Sequence, residues 1–378
     1  MSAIASALSN PELIEPEDKF YTASQWSLIW WRFKKHKLGM ISSILLVLLY
    51  LSAGFADFIG PFAPLVRFES QQQSPPSRIR IYKAGEGWQW PFLYATKREL
   101  DPKTFRYIFI EDETKSFPIR LLVKGDPYKL LGLISADTHA FGTGLGNPGV
   151  YLFGTDLLGR DVFSRTLHGA RLSLTIPLIT VSLSFVLGVI LGGISGYIGG
   201  QLDNLIQRFI EFLLAIPNIP LWIALSAALP REWSTEKTFF AIALLLSVLG
   251  WTGLARVVRG KVLQLREEEY TLAAQCAGAT QWRIVVKHLL PGMTSHLIVS
   301  VTSSIPLAII GETSLSFFKI GMQPPAYSWG VLLQDSQNLV AIAHMPWLLT
   351  PALFVIATGL LFSFVGDGLR DAADPYTR

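Results

Sequence analysis

The residues of this sequence with chemistry to offer are few and dispersed. Asp156, Arg160 and Asp161 stand together in Gly154-Thr-Asp-Leu-Leu-Gly-Arg-Asp161. Acid and base this close could pass a proton, but no nucleophile or metal ligand accompanies them. Such neighbours more often cap a helix or tie a loop, so a structural role near a gate or an interface is expected. Glu211 and Glu312 fall inside apolar runs. A carboxylate deep in a bilayer is costly and is turned inward or paired. Glu211 lies near the start of its run, within reach of interfacial water, and is expected to be structural. Glu312 lies deeper, beside Thr313 and Ser314, where lining a pathway and bonding a neighbouring helix are both open. A proton relay would need a second intramembrane acid or base facing it, and the sequence places none. The six histidines are scattered, with no pair at helical ligand spacing, so no metal is expected. The single cysteine, Cys276, excludes an intrachain disulfide. Gly142-Thr-Gly-Leu-Gly-Asn-Pro-Gly149 looks superficially like a phosphate cradle. It lacks a following Lys-Ser/Thr and opens no helix, so it reads as a turn. No catalytic centre, no nucleotide-binding loop and no cofactor are expected.

These residues must be positioned by an unusually apolar chain. Of 378 residues, 50% are hydrophobic and only 16% charged, against roughly 25% charged in soluble domains. Spanning a bilayer takes about 20 mostly apolar residues. Six runs qualify: Leu38–Ile59, Leu172–Ile194, Phe209–Leu229, Phe239–Val258, Leu297–Ile320 and Met345–Val365. The third is interrupted by Pro217 and Pro220, which a helix tolerates where neighbours satisfy the freed carbonyls, so a bundle is expected. The first run follows a polar leader and reads as a retained span, not a cleaved signal. Arg32, Lys34, Lys35 and Lys37 precede it and put the N-terminus in the cytoplasm. Six spans return the C-terminus there.

The resulting plan has a cytoplasmic segment 1–37, a first span 38–59, an extracytoplasmic insert 60–169, a five-helix core 170–370 and a cytoplasmic tail 371–378. The insert is too long for a bare loop. Arg78–Tyr82, Arg106–Ile110 and Ile119–Lys124 alternate polar with apolar residues and read as short strands of a small β-rich subdomain. No polar constellation converges there, so a structural or docking role is expected.

The core holds one polar loop, 256–292. Ala273, Ala274 and Ala277 fall on one helical face at spacings of three and four, where small side chains let a partner surface approach. Gly278 suits the left-handed residue that ends such a helix. Thr280 suits the N-cap of a second helix through Trp282, Val285, Val286 and Leu289, which Pro291 is expected to end. On physical grounds alone, a solvated amphipathic loop accounts for the pattern as well.

Ala273-Ala274, three residues, Gly278, then Leu290-Pro291 resembles the "EAA" loop of importer-type ABC transporter permeases. Leu272 stands where the general pattern has glutamate, and His288 where isoleucine is frequent. Both departures look like the dipeptide/oligopeptide branch. So do Gly154–Arg165, His168–Leu174, Gly196–Asp203, Ser314–Phe318, Gln323–Gly330 and Gly366–Pro375. The usual asparagine after the proline is Gly292 here, and the long insert is not explained by the signature. Gly366-Asp-Gly-Leu-Arg370 is expected to end the last helix, with Arg370 at its negative end.

The resemblance implies an α-helical integral membrane protein of about six spans with the type I ABC importer permease fold. Its place would be the bacterial cytoplasmic membrane. It implies a second homologous permease, two cytoplasmic ABC ATPase subunits and an extracytoplasmic substrate-binding protein as partners, within the lipid bilayer and without nucleic acid. Ala273, Ala274, Ala277, Gly278, His288, Leu290 and Pro291 would form the ATPase-coupling loop. Di- or oligopeptides are the implied cargo, with oligosaccharides, opine-like solutes or nickel carried by related branches. An ion-gradient-driven transporter is the rival class; it calls for inverted repeats, which the sequence lacks, though Pro217 and Pro220 could mark a broken helix.

Overall fold

The computed structural model describes residues 24–83, 86–102, 107–230 and 232–373. The predicted leader up to residue 23, Arg106 of the second predicted strand, and residues 374–378, with Asp374 and Pro375 of the C-terminal signature, lie outside them.

The first element is a helix that the sequence reading passed over: α1 (Gln25–Lys35), capped by Ser24, whose Oγ accepts the Ser27 N–H. His36 alone separates it from α2 (Lys37–Gly54), the first apolar span. After a short turn Ala56–Ile59, the chain enters five strands: β1 (Arg80–Lys83), β2 (Gly87–Leu100), β3 (Tyr107–Pro118), β4 (Arg120–Leu130) and β5 (Ile134–Gly142). They form an antiparallel sheet ordered β1-β2-β3 and a separate β4-β5 hairpin. Strands β1, β3 and β4 overlap the predicted ones; β2 and β5 had no counterpart there. Leu93, Ile119 and Val150 form a small core beneath them. The two ends of this region meet: Ser77 N–H donates to the Tyr151 carbonyl at 2.8 Å, and Tyr151 N–H to Ser77 Oγ at 2.9 Å.

The remaining spans are α3 (Val162–Ile198), the pair α4 (Gly200–Ala215) and α5 (Asn218–Ala227), α6 (Thr235–Leu265), α8 (Thr294–Phe317) and α9 (Thr350–Ala373), with the short α7 (Glu269–Cys276) between α6 and α8. Among the described residues, five helices are long and apolar enough to cross a membrane; α4 and α5, bent by 87° at their break, make a sixth if taken as one span. The bend falls at Ile216-Pro217, where proline forces its predecessor extended.

Two predicted helix ends move. Helix α3 starts at Val162, ten residues before the apolar run at Leu172, because Arg165 and His168 are buried against protein. Helix α9 does not end at Gly366: it runs to Ala373, with Arg370 in its last turn. Gly366 and Gly368 instead let neighbours approach. A Cβ on Gly368 would come within 2.9 Å of His36 Nδ1 and 3.3 Å of Gly39 Cα, and one on Gly366 within 2.8 Å of Thr302 Oγ1. The last span thus packs on the first and on α8.

Candidate functional site

The polar loop is built on the end of α6. Thr271 Oγ1 donates to the Leu265 carbonyl at 2.8 Å and holds the start of α7 against it. On α7 and its C-terminal cap, Leu272, Ala273, Ala277 and Gly278 are exposed. Ala274 departs from the expected shared face: it turns inward, with Ala279, onto the cluster of Val258, Val262, Ile284 and Leu289. Gly278 has φ +78° and ends the helix as expected; its N–H donates to the Gln275 carbonyl and that of Ala279 to Ala274, satisfying otherwise orphaned acceptors. Thr280 caps the second helix, its Oγ1 accepting the Arg283 N–H at 3.4 Å. Trp282, in its first turn, is 73% exposed. An exposed leucine and tryptophan flanking small residues mark a surface that another protein can cover.

Pro291 does not end the second helix. Val285–Leu289 form a π turn in which Leu290 N–H reaches the Val285 carbonyl, and the chain stays helical through Gly292 before turning at Met293. The widened turn accommodates a proline that offers no N–H. His288 and Leu290 are half-buried; Pro291 is exposed.

Behind the loop, α6 is joined to α3 by close contact. Gly188, Gly192 and Gly196 recur every four residues along α3. A Cβ would come within 2.9 Å of Leu254 at the first, collide with the Ala255 carbonyl at the second and come within 2.8 Å of the Arg259 carbonyl at the third. At the foot of this seam, Arg259 Nε and Nη2 each donate to one Asp203 oxygen at 2.6 Å. Asp203 also accepts from Ser195 Oγ, which accepts from Gln207. Arg266 Nη1 donates to the Gly196 carbonyl at 3.2 Å. Neither Arg259 nor Arg266 was singled out from sequence, and Asp203 entered only as the last residue of the Gly196–Asp203 stretch. The small-residue spacing on α3 was the available signal for the seam; nothing local signalled a pair 56 positions apart.

At the other end of α3, Asp156 is a hub. Its Oδ1 accepts from the N–H groups of Leu158 and Arg160, and its Oδ2 from Arg160 Nε at 2.7 Å and Arg165 Nη1 at 2.5 Å. Asp161 caps α3, accepting the Ser164 N–H at 2.8 Å; burial pushes its carboxyl up to about 6, against the pull of that bond. Asp156, Arg160 and Asp161 are therefore brought together as caps and ties around one loop. Trp347 fastens that loop to the start of the last span by donating to the Thr155 carbonyl at 2.9 Å.

Glu312 does not join them. It is fully enclosed, accepting from Ser316 Oγ at 2.9 Å and Ser173 Oγ at 3.2 Å, and Ser173 in turn accepts the Trp329 N–H. It links α8 to α3 and to the short helix Trp329–Leu332. Glu211 is exposed and pairs with Arg208. Arg171, on α3, donates to the Ala53 and Gly54 carbonyls and to Asp57, which also meets His168 at 2.9 Å, so the end of α2 is tied down as well.

Long apolar spans, a loop with an exposed alanine face and a glycine-sealed helix pair behind it invite comparison with known proteins. Residues 188–378 match the family model described as binding-protein-dependent transport system inner membrane component. Residues 24–78 match the N-terminal TM domain of oligopeptide transport permease C. The strands lie in the interval that neither covers. The dipeptide transport system permease protein DppC of Bacillus subtilis (strain 168) is 42% identical over 226 residues, 60% of this chain and 69% of that protein. The DppC of Lactococcus lactis subsp. cremoris (strain MG1363) is 30% identical over 349 residues, 92% of this chain and 89% of that protein. Among solved structures, the MetNI methionine ABC transporter in an inward-facing conformation is 20% identical, with a TM-score of 0.44 over 56% of this chain and 96% of that chain. On the family models and the identity to the two DppC proteins, the chain belongs to the family of inner membrane components of binding-protein-dependent transport systems, the ABC importer permeases.

Proposed function

We infer that the chain is one permease subunit of an ATP-driven importer for di- or oligopeptides, working beside a second, homologous permease. Two cytoplasmic ATPase subunits bind below, and an extracytoplasmic binding protein delivers cargo. Both termini and loop 256–292 face the cytoplasm, as the basic residues at Lys34, Lys35, Lys37, Arg259 and Arg266 favour; the strands face outward. ATP hydrolysis belongs to the partner ATPases. The names of the relatives support the cargo class.

One observation carries the coupling role: the exposed face of Leu272, Ala273, Ala277 and Trp282 stands on a helix sealed to α3. Closure of the ATPases on ATP presses on this face. Because α6 and α3 are joined by the glycine seam and the Arg259–Asp203 pair, the displacement reaches Asp156 and Asp161 at the far end of α3 without being lost between helices. The direction of transport then follows from ATPases that bind the two permease states with different affinity.

Ala277→Trp is the test, since it blocks the face without backbone strain. In vesicles carrying the complete complex, ATP-driven uptake of a labelled peptide should fall at least tenfold while the subunits still co-purify. Uptake by this chain alone under an ion gradient would establish the rival class instead.

A further inference from the structure

Helix α1 has two faces. Ile29 and Phe33, four apart, are buried against Ala372, Ala373 and Leu369 at the end of α9. His36 Nε2 lies 3.6 Å from Asp371 Oδ2, and Gly39 meets Gly368, so the helix is held beside the ends of the first and last spans. The rest of its exposed surface is aromatic and basic. Trp26, Trp30 and Trp31 are 64%, 49% and 40% exposed. Lys34 Nζ lies over the Trp30 ring, 5.2 Å from its centre, and Lys35 and Lys37 are exposed. With only His36 between α1 and α2, this face stays level with the bilayer surface. Tryptophan at that level sits among lipid headgroups, and lysines there favour anionic ones.

Trp26 also forms one wall of an apolar groove of about 810 Å³ between α3 and α8. Its other walls include Phe185, Val189, Val301, Leu290 and Pro291, and no ionisable residue lines it. The groove lies along the half of the spans nearest the polar loop.

We propose that α1 and this groove form a binding site for an anionic phospholipid. Its phosphate meets Lys34 and Lys35, and an acyl chain lies in the groove between Val189 and Val301. The charge of the helix and its continuity with the first span select a lipid over a protein helix as occupant. Because Leu290 and Pro291 belong to the polar loop, the bound chain touches the segment assigned to coupling; the site itself rests on membrane embedding, not on the import reading.

The site is tested by native mass spectrometry on the full-length chain released from micelles holding equal phosphatidylglycerol and phosphatidylcholine. Wild type should retain phosphatidylglycerol preferentially. K34Q/K35Q, which alters only exposed side chains, should lose that preference by about fivefold for each lysine while still holding lipid. Val186→Trp, which fills the groove from an exposed position, should lose both lipids. Equal retention of the two lipids by wild type, or an undiminished preference in K34Q/K35Q, overturns the proposal. So does cross-linking from position 186 to the second permease in the assembled complex, which would show the groove covered by protein. None of these readouts uses ATP or peptide, so failure here is separable from failure of the import reading.

Discussion

Arg259 and Asp203 form a forked tie at the loop end of the bundle, because a planar guanidinium matches a carboxylate with two parallel hydrogen bonds. About a third of the Arg259 side chain is exposed, which weakens the pair relative to a buried one. Asp203→Asn and Arg259→Gln should each destabilise the purified chain, and a double-mutant cycle on thermal unfolding should return a coupling of about 1 kcal/mol. Arg259→Lys should behave like the glutamine variant, since an ammonium cannot make the forked contact. At the opposite end, the raised Asp161 carboxyl gives a pH signature. The native state holds its proton up to about 6, while the unfolded chain releases it near the ordinary aspartate value of about 4. Between these, the folded protein binds more protons, so stability falls as pH rises through that window and stays lower above it. Asp161→Asn keeps an acceptor for the Ser164 N–H and removes this term. Its melting temperature relative to wild type should therefore be higher at pH 7 than at pH 4.

Among the elements, the seam between α3 and α6 makes the sharpest demand on sequence. Gly192→Ala would drive a methyl into the Ala255 carbonyl and should cost about 1–3 kcal/mol. Gly253→Ala, on the same helix pair but facing open space, should be neutral or stabilising by about 0.5–1 kcal/mol. Thermal unfolding of the two variants in one detergent decides the matter.

The same elements show what could be read in advance. Six apolar runs, the Gly278 turn and the Thr280 cap were legible because each depends on local chemistry. The start of α3 was not, since hydropathy registers exposure to lipid, whereas Arg165 and His168 are shielded by protein. Gly366 and Gly368 resembled a helix stop because a glycine that permits a turn and one that permits contact look alike without the neighbour. Pro291 misled for a similar reason: a π turn absorbs the missing N–H. Helix α1 was hidden by its mixed composition, with apolar residues to pack on α9 and two lysines at its end. Strands β2 and β5 were missed because their faces are half-covered, which blurs alternation. The Asp203–Arg259 tie depends on a fold that brings α4 to α6.

At the scale of the molecule, the chain divides into a helical bundle and a β-rich region, joined by a stem and by the packing of the β4-β5 hairpin on the residues after the first span and at the start of α3. The stem is the Ser77–Tyr151 pair, continued by Ser74 N–H to Thr155 Oγ1 at 2.8 Å and Thr155 N–H to the Ser74 carbonyl at 2.9 Å. Since the strands enter and leave side by side, the region is a cassette, interchangeable in principle without rerouting the spans. A variant in which a short Gly-Ser bridge replaces residues 79–149 should insert in the membrane and co-purify with its permease and ATPase partners. Its melting temperature should fall modestly, because His139 no longer bonds the Gly60 carbonyl after the first span. If it also keeps peptide uptake, the strands are an accessory that relatives are free to lengthen, shrink or exchange; if only uptake fails, the cassette is where the delivery protein lands. Four short hydrogen bonds between neighbouring chain ends thus allow the β-rich region to be exchanged as a unit while the helices keep their own connections.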